Sequence, residues 1–171
     1  VSKSGRPSSK WSTRSPARSI ARAFSLTLRM PDGAIRFMRD AIFAAVLAAI
    51  LEPGDEILVP DPVWLNYINV PNLLGAKPVM YSLKEENGFQ MDLEEVRSKI
   101  TDKTRAVVIV TPNNPTGGGL EEDVLKELAD IAISNDLMVI SDEVYERLSL
   151  SAMAWRSSIR PKLENNVDYK A

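Results

Sequence analysis

Two short stretches hold side chains whose types and spacing could do chemistry: Thr111-Pro112-Asn113-Asn114-Pro115-Thr116-Gly117-Gly118-Gly119 and, farther on, Asp142-Glu143-Val144-Tyr145. In the first, Asn114 offers an amide that donates and accepts toward a ring substituent. It is held by two prolines that fix φ, beside glycines that let a ligand approach the backbone closely. The second stretch places an acid and a phenol together. The chain has no histidine and no cysteine, which excludes imidazole acid–base catalysis, thiolate nucleophiles, disulfides and the common zinc sites. Any chemistry must therefore come from Lys, Asp, Glu, Tyr or a cofactor. The plainer alternatives are an ordinary strand-to-helix connection around Asn114 and a helix cap at Asp142.

Both stretches follow apolar runs. Residues 106–111 read as a buried parallel strand that ends in the Gly/Pro-rich loop, and residues 138–142 as a second strand with the acid at its carboxyl end. In open α/β sheets that end is where ligands sit. Between them, residues 121–135 set Val124, Leu125, Leu128, Ile131 and Ala132 on one stripe, the pattern of an amphipathic crossover helix. Upstream, residues 40–51 are apolar on all sides and predict a helix buried within the protein, stopped by Glu52-Pro53-Gly54. Residues 56–60 predict a strand that turns off through Asp61-Pro62-Val63-Trp64, and residues 67–74 a helix interrupted near Pro71. Residues 77–83 predict another strand, Asn87-Gly88 a turn, and Asp92 the N-cap of a helix through Lys99. The alternation predicts an α/β fold: a mostly parallel sheet with helices on both faces.

The 171 residues suffice for one domain, and 44% hydrophobic content supports a core. The net charge of −2 conceals an asymmetry. Residues 1–30 carry seven Lys/Arg and no acid, which leaves 14 basic against 23 acidic residues in the remainder. That acidic body argues against a nucleic-acid partner, and the absence of a run of eighteen apolar residues against a membrane-spanning helix. Residues 1–30 are expected to be a disordered Ser/Arg-rich leader, with an organelle transit peptide as the alternative to a cytoplasmic location. Residues 31–148 are expected to form the domain and residues 149–171 a divergent or truncated tail.

The sequence Asn113-Asn114-Pro115-Thr116-Gly117-Gly118, followed by a helix and then Val139-Ile140-Ser141-Asp142-Glu143-Val144-Tyr145, resembles the large domain of the class I/II aminotransferases, in particular those like aspartate aminotransferase. Gly54-Asp55-Glu56-Ile57-Leu58-Val59-Pro60-Asp61-Pro62-Val63-Trp64-Leu65-Asn66-Tyr67 is similar to the same family's strand and aromatic turn. The resemblance spans residues 40–148 and implies pyridoxal 5'-phosphate as cofactor, an amino acid and a 2-oxo acid as substrates, and a homodimer or other self-association. It also implies four cofactor-binding residues. Trp64 would stack on the pyridine ring, Asp142 would pair with the ring nitrogen and keep it protonated, and Asn114 and Tyr145 would hydrogen-bond the ring's 3-oxygen. Trp64 could instead be a core or interface aromatic.

Two parts of the family's pattern depart. The small-residue turn whose amides grip the cofactor phosphate ahead of the first large helix has Phe37 and Met38 at its expected position, with Gly33-Ala34 four residues early. Either the helix begins sooner or the cradle is damaged. The family's Ser-x-Ser-Lys motif, whose lysine forms the Schiff base with the cofactor, is not found, so the catalytic residue is unknown, and Lys162 and Lys170 have no context that marks them as replacements. Residues 149–156 resemble the phrase that follows that motif in the family. The resemblance thus implies a transaminase, the alternative being a non-catalytic remnant that binds the cofactor or a partner. A nucleotide-binding domain fits less well, because Thr116-Gly117-Gly118-Gly119 lacks the Lys-Ser/Thr of a phosphate-binding loop.

Overall fold

The computed structural model describes residues 23–26, 35–143 and 159–164. In chain order these form β1 (Ala23–Leu26), α1 (Ile35–Ile50), β2 (Glu56–Asp61), α2 (Asn66–Leu73), β3 (Lys77–Ser82), α3 (Leu93–Lys99), β4 (Thr104–Val110), α4 (Glu122–Ser134), β5 (Met138–Asp142) and α5 (Arg160–Glu164). The strands make one sheet in the order β1-β5-β4-β2-β3, and every strand pair is parallel. Among the described residues, no helix is long and apolar enough to cross a membrane.

β4 shows why the sheet must be covered twice. Its apolar residues alternate: Ala106, Val108 and Val110 face a core with Phe43 and Leu47 of α1 and Tyr67 of α2. Val107 and Ile109 face a second core with Val96 of α3, Leu125 and Leu128 of α4 and Leu163 of α5. A strand buried on both faces cannot afford polar alternation, which is why residues 106–110 read as a continuous apolar run. Asp92 caps α3 as its position predicts, accepting from the amides of Glu94 and Glu95.

Three elements differ from the sequence-based expectation. α1 begins at Ile35, five residues before the start expected at 40, and it is not buried all round. Phe43, Leu47 and Leu51 form the buried stripe at i, i+4 and i+8, whereas Ala41, Ala45, Ala48 and Ala49 are exposed. α2 runs through Pro71 rather than breaking there. The third difference is β1, which lies within the stretch expected to be a leader: Ala23–Leu26 pairs with residues 139–142 of β5 and adds an edge strand. Phe24, Leu26 and Leu28 alternate with Ser25, Thr27 and Arg29 at the period of a strand, a short signal set within a basic, Ser-rich stretch, and the edge of β5 gives it a partner.

At the amino ends of the strands, Glu56 is buried, its carboxylate accepting from Lys77 Nζ at 3.0 Å and from the Thr101 hydroxyl at 2.6 Å. The Thr101 hydroxyl, then the Lys77 ammonium, hold its carboxyl below the ordinary value of 4.5. A depressed folded-state pKa gives stability that is present above the unfolded value and lost as pH falls through the folded one. Glu56→Gln is expected to cost about 1.5–3 kcal/mol at neutral pH, with the gap to wild type closing under acid. Urea midpoints measured at neutral and acidic pH check this; a gap that does not narrow under acid would remove Glu56 as its source.

Candidate functional site

β5, β4 and β2 are consecutive neighbours in the sheet, and each delivers one of the sequence-predicted residues at its carboxyl end. Asp142 is the last residue of β5 and is buried. Asn114 lies half-buried in the loop after β4, and Trp64, 46% exposed, in the turn after β2. Tyr145 lies outside the described residues.

The loop after β4 is closed on itself. The Asn113 amide donates to the Gly118 carbonyl and the Gly117 amide to the Asn113 carbonyl, each at 2.8 Å, while Leu120 N–H donates to the Thr111 hydroxyl at 3.2 Å. Gln90 clamps its far side, its Nε2 donating to the Gly119 carbonyl at 2.8 Å and its Oε1 accepting from Glu121 N–H at 3.0 Å. Here a glycine is obligatory. A Cβ at Gly118 would stand 2.8 Å from the Phe89 Cβ.

Sequence reasoning missed Tyr67. Its hydroxyl donates to Asp142 Oδ2, its backbone N–H donates to the Trp64 carbonyl at 3.0 Å, and the ring stacks edge-on against Phe43 of α1 with centroids 4.7 Å apart. One side chain thus joins the Trp64 turn, the Asp142 carboxylate and α1. The signal available was proximity to Trp64 in the turn; the hydroxyl's destination, 75 residues along the chain, was not readable.

Phe37 and Met38, which stand at the position expected for the phosphate turn, lie within α1, and Gly33-Ala34 stand directly ahead of its first residue in sequence. Lys162 ion-pairs with Asp130 at 2.5 Å, in the C-terminal half of α4 that leads to the amino end of β5, opposite the end that carries Asp142. Lys170 lies outside the described residues.

The sequence profile of "Aminotransferase class I and II" matches residues 39–169. The chain belongs to this family. The aminotransferase match reaches beyond residue 148, where the motif resemblance ends. A probable aspartate/prephenate aminotransferase of Aquifex aeolicus is 46% identical over 101 residues, which cover 59% of this chain and 26% of that protein. An aromatic-amino-acid aminotransferase of Thermococcus litoralis is 46% identical over 100 residues, 58% of this chain and 26% of its own length. Among solved structures, an alanine aminotransferase from Pyrococcus furiosus superposes with a TM-score of 0.61 at 42% identity, covering 62% of this chain and 27% of that one. The chain thus spans about a quarter of the length of these aminotransferases. The family is pyridoxal-phosphate-dependent.

Proposed function

We propose that these residues form the ring-binding half of a pyridoxal 5'-phosphate site in a protein that moves an amino group between an amino acid and a 2-oxo acid. The observation that carries the reading is the Asp142 carboxylate, buried at the carboxyl end of β5 and held by the Tyr67 hydroxyl, with Trp64 and Asn114 on the neighbouring strand ends. This donor set fits the group. A buried carboxylate suits a protonated ring nitrogen, an amide suits a ring oxygen, and an exposed indole suits a flat heterocycle. When bound, the cofactor supplies an electron sink for a substrate carbanion. Asp142 holds the proton on the ring nitrogen, Asn114 and Tyr145 fix the 3-oxygen, and Trp64 covers one ring face. The first-turn amides of α1, after Gly33-Ala34, take the phosphate, as helix N-termini favour anions. The test is titration of pyridoxal phosphate into the protein, followed by the cofactor's absorbance and tryptophan emission; no saturable change would refute the reading.

The same reading includes self-association. Leu65 and Leu73 of the α2 region are 66% and 85% exposed. Exposed apolar side chains favour pairing with another copy. Sedimentation is expected to show a mass that rises with concentration; a monomer at all concentrations would exclude the dimer.

A further inference from the structure

The backbone of Asn113 closes the loop after β4, and its side chain, 4% exposed, is a buried polar group placed between the two loops that carry Trp64 and Asn114. Its Nδ2 donates to the Pro62 carbonyl at 3.3 Å, in the turn after β2. Its Oδ1 accepts from the Thr116 amide at 3.4 Å and the Thr116 hydroxyl at 3.3 Å, in the loop after β4. The amide's orientation follows from its partners, since a carbonyl only accepts and a backbone N–H only donates. The Thr116 hydroxyl in turn accepts from Gly118 N–H at 3.1 Å.

We propose that Asn113 is a positioning residue that locks the Trp64 turn to the Asn114 loop, so that the indole and the ring-binding amide keep a fixed separation. The proposal rests on the cofactor reading above. Pro62 lies two residues before Trp64, and Thr116 two residues after Asn114, so the single amide spans the gap between the two ligand-bearing segments. Few side chains can replace it. An aspartate keeps the acceptor for Thr116 but sets a second oxygen against the Pro62 carbonyl; a serine is too short to reach both loops.

The two halves of the lock can be opened separately. In protein carrying Trp11→Phe and Trp155→Phe, so that Trp64 is the remaining tryptophan, the emission anisotropy and acrylamide quenching of Trp64 are measured without cofactor. Pyridoxal phosphate is then titrated in, and thermal midpoints are recorded alongside. Asn113→Asp is expected to lower the anisotropy, raise the quenching and weaken pyridoxal phosphate binding about tenfold. Thr116→Val, which removes the hydroxyl's bonds to Asn113 Oδ1 and Gly118 N–H but leaves the Thr116 amide and Pro62 contacts, is expected to weaken binding less than Asn113→Asp while Trp64 keeps its wild-type anisotropy. A merely structural Asn113 would shift the thermal midpoint and leave both the Trp64 signals and the affinity of the folded protein unchanged, and that result overturns the proposal. Should Asn113→Asp fail to fold, Asn113→Ser carries the same comparison without the added charge. If the parent protein binds no pyridoxal phosphate, the cofactor reading fails, and the cofactor-free Trp64 measurements still decide whether Asn113 is the lock.

Discussion

Asp142→Ala is expected to weaken pyridoxal phosphate binding by about one to two orders of magnitude. The substitution removes a charge-assisted hydrogen bond to the ring nitrogen, and such a contact is worth about 1.5–3 kcal/mol. Burial works in the same direction. Asp142 is 4% exposed, so water cannot replace the lost partner of a cationic ring as it would at the surface. On the proposed reading the Tyr67 hydroxyl, which donates to Asp142 Oδ2, acts by orienting the carboxylate. Tyr67→Phe is therefore expected to cost less than Asp142→Ala, and the double variant no more than Asp142→Ala alone, because Tyr67 acts through the carboxylate that the other substitution removes. Equilibrium titration of the four proteins closes the cycle. Identical curves for wild type and Asp142→Ala would place the cofactor elsewhere; full additivity would give Tyr67 a contact of its own.

The parts of this fold that were legible in the sequence are those in which one physical demand dominates. β4 and β5 are buried on both faces, so their apolar runs announce them, and Asp92 caps α3 because a short acid beside free amides has little else to do. The start of α1 was placed too late, because the expected start followed the alanine-rich run although Ile35, Met38 and Ile42 already stand at i, i+3 and i+7. That run was misread as buried all round: alanine is a helix former whether it is exposed or not, so composition could not tell Phe43 and Leu47, which face the sheet, from Ala45 and Ala49, which face away. At the candidate site, motif spacing singled out Asn114, Asp142 and Trp64, which the sheet order brings to neighbouring strand ends. It did not find the side chains that hold them, Tyr67, Asn113 and Gln90, because their work is hydrogen bonding to groups brought close only by the sheet order.

The 171-residue polypeptide by itself is expected to convert amino acids slower than an ordinary transaminase by at least the general-base contribution, about 10²–10⁴-fold. In this reaction class one lysine amine both anchors the cofactor and moves a proton between the substrate carbon and the ring. On the proposed reading Asp142 is committed to the ring nitrogen and cannot take over, and neither histidine nor cysteine occurs in the chain. Lys162 is held at 2.5 Å by Asp130, on the part of α4 that leads to the amino end of β5, so reaching the ring would require it to leave its ion pair and α5 to leave its place against α4. Binding and turnover should therefore separate: pyridoxal phosphate titrates in with wild-type dependence on Asp142, while amino acids are barely converted. Borohydride reduction with cofactor, followed by peptide mapping, reports which lysine is attached, and a single-turnover assay with several amino acids reports the rate. Stoichiometric labelling of Lys162 or Lys170 together with conversion at about 1 s⁻¹ or faster would mean that the C-terminal segment supplies the missing amine, and in the case of Lys162 α5 would have to be seated beside Asp142 rather than against α4.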